Sequence, residues 1–188
     1  MLRYRDEPMV WHVNGWTYPT DHNDNGTAYF TPLVECWGWA TWADRWRHFE
    51  RKPAELVRRW DRKRRRAFNF GGAYDYWFDV RRNAWGVVRT WAVFWYATIF
   101  ERGGLCISPP RSLATNIGID GSGENSGSRD IFAATVAGDG GPIHFPANVA
   151  PGTAEIAADQ AFLMRTRPPL SRRLGRSVKW RLKRLGLF

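Results

Sequence analysis

The chain has 188 residues, a formal net charge of +10, a hydrophobic fraction of 44% and only two Cys. That length allows one domain with a single core, and two cysteines exclude a disulfide framework. No apolar run approaches the ~20 residues that span a bilayer, and the charged opening Met1 to Glu7 is not a signal peptide. The positive charge is local. Residues 165–188 hold nine Arg or Lys and no acid, and a second run spans Arg58 to Arg66. Cys36 and Cys106 lack metal-ligand spacing and are expected to be buried free thiols in a reducing compartment.

Residues 9–16 and 28–34 have the β-branched and aromatic content of strands, joined by an Asp/Asn/Gly loop at 21–26. Residues 39–50 are expected to be helical, with Trp39, Trp42 and Trp46 as the buried stripe. Pro53 suits the first turn of a helix over 53–66, which Gly71 and Gly72 follow. A short helix is expected from Asp75 to Asn83. Trp91, Phe94, Trp95, Thr98 and Ile99 fall at i, i+3, i+4, i+7 and i+8, the inner face of an amphipathic helix stopped by Gly103 and Gly104. Residues 105–108 and 112–117 are expected to be extended, 120–130 a Gly/Ser-rich loop, and 153–164 a final helix before the basic tail.

Three blocks carry the chemistry: Glu35-Cys-Trp-Gly-Trp-Ala-Thr-Trp42, Arg89-Thr-Trp-Ala-Val-Phe-Trp-Tyr96 and Asn116-Ile-Gly-Ile-Asp-Gly-Ser-Gly123. Trp offers a flat apolar face with one N–H donor, which suits the wall of a sugar or nucleotide pocket. Gly38 lets the backbone turn tightly or approach a ligand closely. In order and spacing these blocks resemble the second half of GT-A-type glycosyltransferases of the bacterial sugar-transferase group, from about Met9 to Gly127.

The resemblance implies an α/β fold: an incomplete, Rossmann-like GT-A unit over residues 1–164 with a mixed sheet and flanking helices, followed by a basic tail at 165–188. It implies a nucleotide-sugar donor and a glycan, lipid-linked or other cell-surface acceptor. It also implies a divalent cation, Mn or Mg, held by an Asp-x-Asp motif. None of the eleven Asp residues forms such a pair. Asn125 stands where the family commonly has His, and His144 is too distant to replace it. No Gly-rich turn before residue 35 could cradle a diphosphate. The chain therefore matches the acceptor-side half of such an enzyme and is expected to be inactive alone.

Asp75, at a helix start, matches the placement of a catalytic base that deprotonates an acceptor hydroxyl; the alternative is a helix N-cap. Trp37 and Gly38 are expected to line the site, together with Asn116, Asp120 and Gly121 of the glycine-rich block. Glu35 is a candidate for a sugar hydroxyl, and Arg89 and Trp91 for the donor or a structural pair. Nearby Asp79 is expected at the surface. No metal ligand is assigned.

Two other readings compete. Arg runs with aromatics are used by single-strand nucleic-acid binders, but here the aromatics are concentrated at helical and turn positions away from the Arg runs rather than interleaved with them, so no nucleic-acid partner is expected. The tail offers the other. Leu170, Leu174, Val178, Leu182 and Leu185 recur at spacings of three and four among basic residues, so 169–186 is expected to form a basic amphipathic helix on an anionic membrane surface, the alternative being a frayed, solvated tail. A cytoplasmic protein at the inner face of the plasma membrane follows.

Overall fold

The computed structural model describes residues 2–20, 26–115 and 141–167. Within them the chain is α/β, with a small mixed sheet and six α-helices. Asn116, Asp120, Gly121, the loop at 120–130 and the tail helix at 169–186 lie outside the described residues.

The sheet has strands β1 (Val10–Val13), β2 (Tyr29–Thr31) and β3 (Leu105–Ser108) in the order β1-β3-β2. The central strand β3 runs parallel to β1, with Val13 opposite Ile107, and antiparallel to β2, with Phe30 opposite Ile107. All four residues of β3 are buried, as a strand covered on both faces requires. Alternation then divides the interior. Cys106 joins a large core with Phe94, Trp95 and Ile99, whereas Leu105 and Ile107 join a smaller one with Val10 and Phe30.

Helices α1 (Ala43–Trp46), α2 (Pro53–Arg59), α3 (Arg62–Phe68), α4 (Tyr76–Ala84) and α5 (Ala92–Glu101) fill the connection between β2 and β3. Helix α6 (Thr153–Arg165) ends the described chain. Their shared core is aromatic: Phe68 stacks on Tyr96 at 4.4 Å and Trp60 on Trp77 at 5.4 Å. Such pairs contribute roughly 0.5–1.5 kcal/mol each beyond area burial.

Four local expectations need correction. The helix at 39–50 shrinks to α1, because Ala40 exchanges both backbone hydrogen bonds with Val13 and keeps Trp39 extended. Trp39, Trp42 and Trp46 are therefore not one helical stripe. The helix at 53–66 is two helices: Trp60 turns into the core with extended backbone, and the Asp61 carboxylate accepts from Arg64 N at 2.7 Å to cap α3. Trp91 is not on the inner face of α5; it precedes the helix and is 40% exposed. Residues 112–115 form no strand; instead Leu113 N donates to Gly15 O at 2.7 Å.

The stop at Gly103 and Gly104 follows the expected chemistry. Gly103 takes φ +63°, and Gly103 and Gly104 donate to the carbonyls of Phe100 and Ile99, a Schellman closure.

Candidate functional site: an aromatic cleft over a buried carboxyl

A cleft of about 240 Å³ opens where the segment after β1, the segment after β2 and the starts of α4 and α5 meet. Trp16, Trp37, Tyr74 and Tyr76 supply aromatic wall, and Glu35 and Asp79 are its two carboxyl groups. Trp16 and Trp37 meet edge to face at 5.0 Å, so each fixes the other's ring plane.

Glu35 is held from below by two polar side chains of the strand segment. Asn14 Oδ1 accepts from Glu35 N at 2.8 Å, and its amide nitrogen donates to Leu33 O and Ser108 Oγ. His12 Nε2 donates to the Glu35 carbonyl at 3.0 Å, while His12 Nδ1 accepts from Trp95 Nε1 at 3.0 Å. A carbonyl only accepts and an indole N–H only donates, so these partners fix the imidazole as the neutral Nε2–H tautomer. Burial pushes its pKa down to about 4, in the same direction.

The Glu35 side chain reaches the cleft floor. Burial pushes its pKa up to about 8, with the charge of Asp159 adding and a hydrogen bond with Tyr18 opposing. Its Oε1 is sealed from solvent and has no hydrogen-bond partner among the described residues. The Tyr18 and Tyr76 hydroxyls lie 3.3 Å apart, extending a polar line from Glu35 along the floor. Behind it, buried Asp159 accepts from Tyr29 OH at 3.1 Å through Oδ2, and burial raises its pKa to about 7.

Of the residues picked out in the sequence, Glu35 and Trp37 meet in this cleft. Asp75 is not among its lining residues. Its Oδ1 accepts from Phe78 N at 3.2 Å and Asn69 Nδ2 at 3.1 Å, which makes it the N-cap of α4. One turn further along α4, Asp79 lines the cleft and pairs with Arg82 at 3.0 Å; its side chain is 35% exposed, a surface position as expected that also borders the cleft. Gly38 has φ +58°, but its close approach is to protein: a Cβ on Gly15 would sit 1.8 Å from the Gly38 carbonyl oxygen. Arg89 is exposed, and Trp91 packs beside Trp39 at 5.1 Å, away from the cleft lining. Cys106 is buried as expected, whereas Cys36 is exposed at the cleft.

Sequence reasoning passed over His12, Asn14, Trp16 and Tyr18. One signal was available. His12, Asn14 and Trp16 recur at a spacing of two and are all buried, and two polar residues in a buried register announce a hydrogen-bonded floor; an irregularity between Val10 and His12 turns Val10 to the smaller core.

Among the described residues no group of three His, Cys, Asp or Glu is arranged to hold a metal. Glu35 and Asp79 alone do not form the ligand set that the resemblance implies. Among the described residues, no helix is long and apolar enough to cross a membrane. Comparison of the chain with protein-family profiles, with curated proteins and with solved structures gives no match.

Proposed function

We propose that this chain is the acceptor-side part of a nucleotide-sugar-dependent glycosyltransferase of GT-A type, and that the cleft binds the acceptor saccharide. The observation that carries the reading is the pairing of aromatic walls with two carboxyl groups, Glu35 and Asp79, in one cleft. Pyranose rings present apolar C–H faces that pack on Trp and Tyr, and their hydroxyls seek carboxyl and phenol partners. Near neutral pH, Glu35 retains a large protonated fraction and donates to a sugar oxygen. Asp79 replaces Asp75 as the group that accepts the proton of the attacking acceptor hydroxyl. Asp75 holds the helix that presents it.

The sequence carries no Asp-x-Asp pair, so donor binding and its cation fall to another part of the enzyme. The acceptor is a glycan or lipid-linked saccharide at the cytoplasmic face of a membrane. Titration calorimetry of the full chain with short glycans, with octyl glucoside as a soluble surrogate for a lipid-linked sugar, tests this. Saccharide binding that is lost in Trp37→Ala supports it. Binding of nucleotide-sugars with no affinity for any saccharide overturns it.

A further inference from the structure

Beside the cleft, three further tryptophans gather at the surface. Trp39, Trp46 and Trp91 form a triangle: Trp39 lies 5.1 Å from Trp91 and 5.6 Å from Trp46, and Trp46 lies 6.2 Å from Trp91. Trp39 is half-buried, Trp46 is 37% exposed and Trp91 40%. Protein rings back two of them, since Trp39 stacks on His12 at 5.3 Å and Trp46 on Phe49 at 4.8 Å. Side chains already fixed by neighbours lose little freedom when a ligand packs on them.

The indole nitrogens set these rings apart from others in the fold. Trp11, Trp60 and Trp95 donate to Pro8 O, Glu101 Oε1 and His12 Nδ1. The N–H groups of Trp39, Trp46 and Trp91 have no acceptor among the described residues. The patch is also continuous with the cleft. Trp91 immediately precedes Ala92 and Val93, which line the cleft at the start of α5, and Trp39 stands two residues after the cleft wall Trp37. Gly38, between the two tryptophans, is exposed and has no side chain to stand in the way. Consecutive Cα atoms are ~3.8 Å apart, so neither path from cleft to patch exceeds about 8 Å.

We propose that Trp39, Trp46 and Trp91 form a second binding surface, which carries further units of a glycan whose end unit occupies the cleft. The acceptor is then an oligosaccharide rather than a single sugar. This inference rests on the acceptor reading of the cleft. A pyranose offers an apolar C–H face rimmed by hydroxyls, and an indole answers with a flat face and one donor. A second copy of the chain is too large an occupant. The three rings together expose under about 300 Å², whereas a stable dimer buries about 800 Å² on each partner. A nucleic-acid strand would stack its bases on the rings, but its phosphates would then run toward the carboxyl groups of Glu35 and Asp79.

The test is titration calorimetry of the full chain with cello-oligosaccharides and chito-oligosaccharides of one to five units. Affinity should rise on the order of tenfold between two and four units and then level off. Trp91→Ala should abolish that rise, so that long and short sugars bind alike, and Trp91→Phe, which keeps a flat face, should restore most of it. Circular dichroism checks that both variants fold, and the length series of the unaltered chain decides without them. Affinity independent of length, in a chain that binds the two-unit sugar, overturns this inference and leaves the cleft reading in place. Absence of binding to every sugar overturns both. A rise with length that survives in Trp91→Ala also overturns the inference, as does self-association in sedimentation velocity that Trp91→Ala removes. Tighter binding of oligothymidylate than of any sugar overturns it as well.

Discussion

The indole nitrogen of Trp95 and the carbonyl oxygen of Glu35 are joined through one imidazole, that of His12. Each hydrogen bond is 3.0 Å long. A helix of the large core is thereby tied through β1 to the backbone of the residue that floors the cleft. Replacing His12 by Phe keeps an aromatic ring, slightly larger than imidazole, and orphans both buried partners. Each such group costs about 1–3 kcal/mol, so the variant should lose roughly 2–5 kcal/mol in urea unfolding. A loss below 1 kcal/mol, about one ordinary hydrogen bond, would mean that the link is not structural.

Two buried carboxyls give stability a definite pH dependence. Glu35 is raised from 4.5 to about 8 and Asp159 from 3.8 to about 7. A carboxyl that holds its proton more tightly in the fold stabilises fully below its unfolded pKa, and that contribution is lost as pH rises through the folded value. His12, lowered from 6.5 to about 4, acts oppositely: its contribution is present above 6.5 and lost as pH falls toward 4. Two carboxyls outweigh one imidazole. The melting temperature should therefore fall between about pH 5 and about pH 8.5, and Glu35→Gln with Asp159→Asn should flatten the profile. A melting temperature that rises over that interval contradicts the assignment.

Asp75 and Asp79 occupy successive turns of α4 and are predicted to separate by readout. Asp75→Ala should cost about 1 kcal/mol as a lost cap, and Asp75→Asn much less, since Asn also caps. Asp79→Asn should leave unfolding within about 0.5 kcal/mol of the parent, because its ion pair with Arg82 is partly exposed. In saccharide titrations the order reverses: Asp79→Asn weakens binding and Asp75→Asn does not. Equal effects on binding would show that both act only by holding the helix.

Gly15 is predicted to be irreplaceable for reasons of space. A Cβ there would lie 1.8 Å from a backbone oxygen, which no side-chain rotation relieves. Gly15→Ala should cost about 3 kcal/mol or more. Gly86→Ala meets nothing within 4 Å but must adopt φ +71°, at about 1–2 kcal/mol. Unfolding of the two variants in parallel checks the contrast.

What the sequence made legible was set by local periodicity. Phe94, Trp95, Thr98 and Ile99 repeat at helical spacing and are buried on α5, and the double glycine closes that helix where expected. Asp75 starts α4 in the same way. What failed was decided by distant partners. Trp39 has helical spacing to Trp42 and Trp46, yet Ala40 pairs with Val13 across the sheet. Trp60 interrupts a helical run because the core takes its ring. Glu35 and Trp37 stand out in the Trp-rich block at 35–42, but nothing local marks Asp79. Its place in the cleft depends on how α4 is set against the segments after β1 and β2, which no local pattern encodes.

Cys36 gives the most direct measurement, because it is exposed at the cleft while Cys106 is buried and serves as an internal control. Alkylation by a maleimide should modify Cys36 alone in the folded protein. If the cleft binds an acceptor saccharide, adding the glycan that binds in calorimetry should slow Cys36 modification several-fold. The protection should vanish in Trp37→Ala. An alkylation rate unchanged at saturating glycan would contradict the central claim, because the saccharide would then occupy some other part of the molecule.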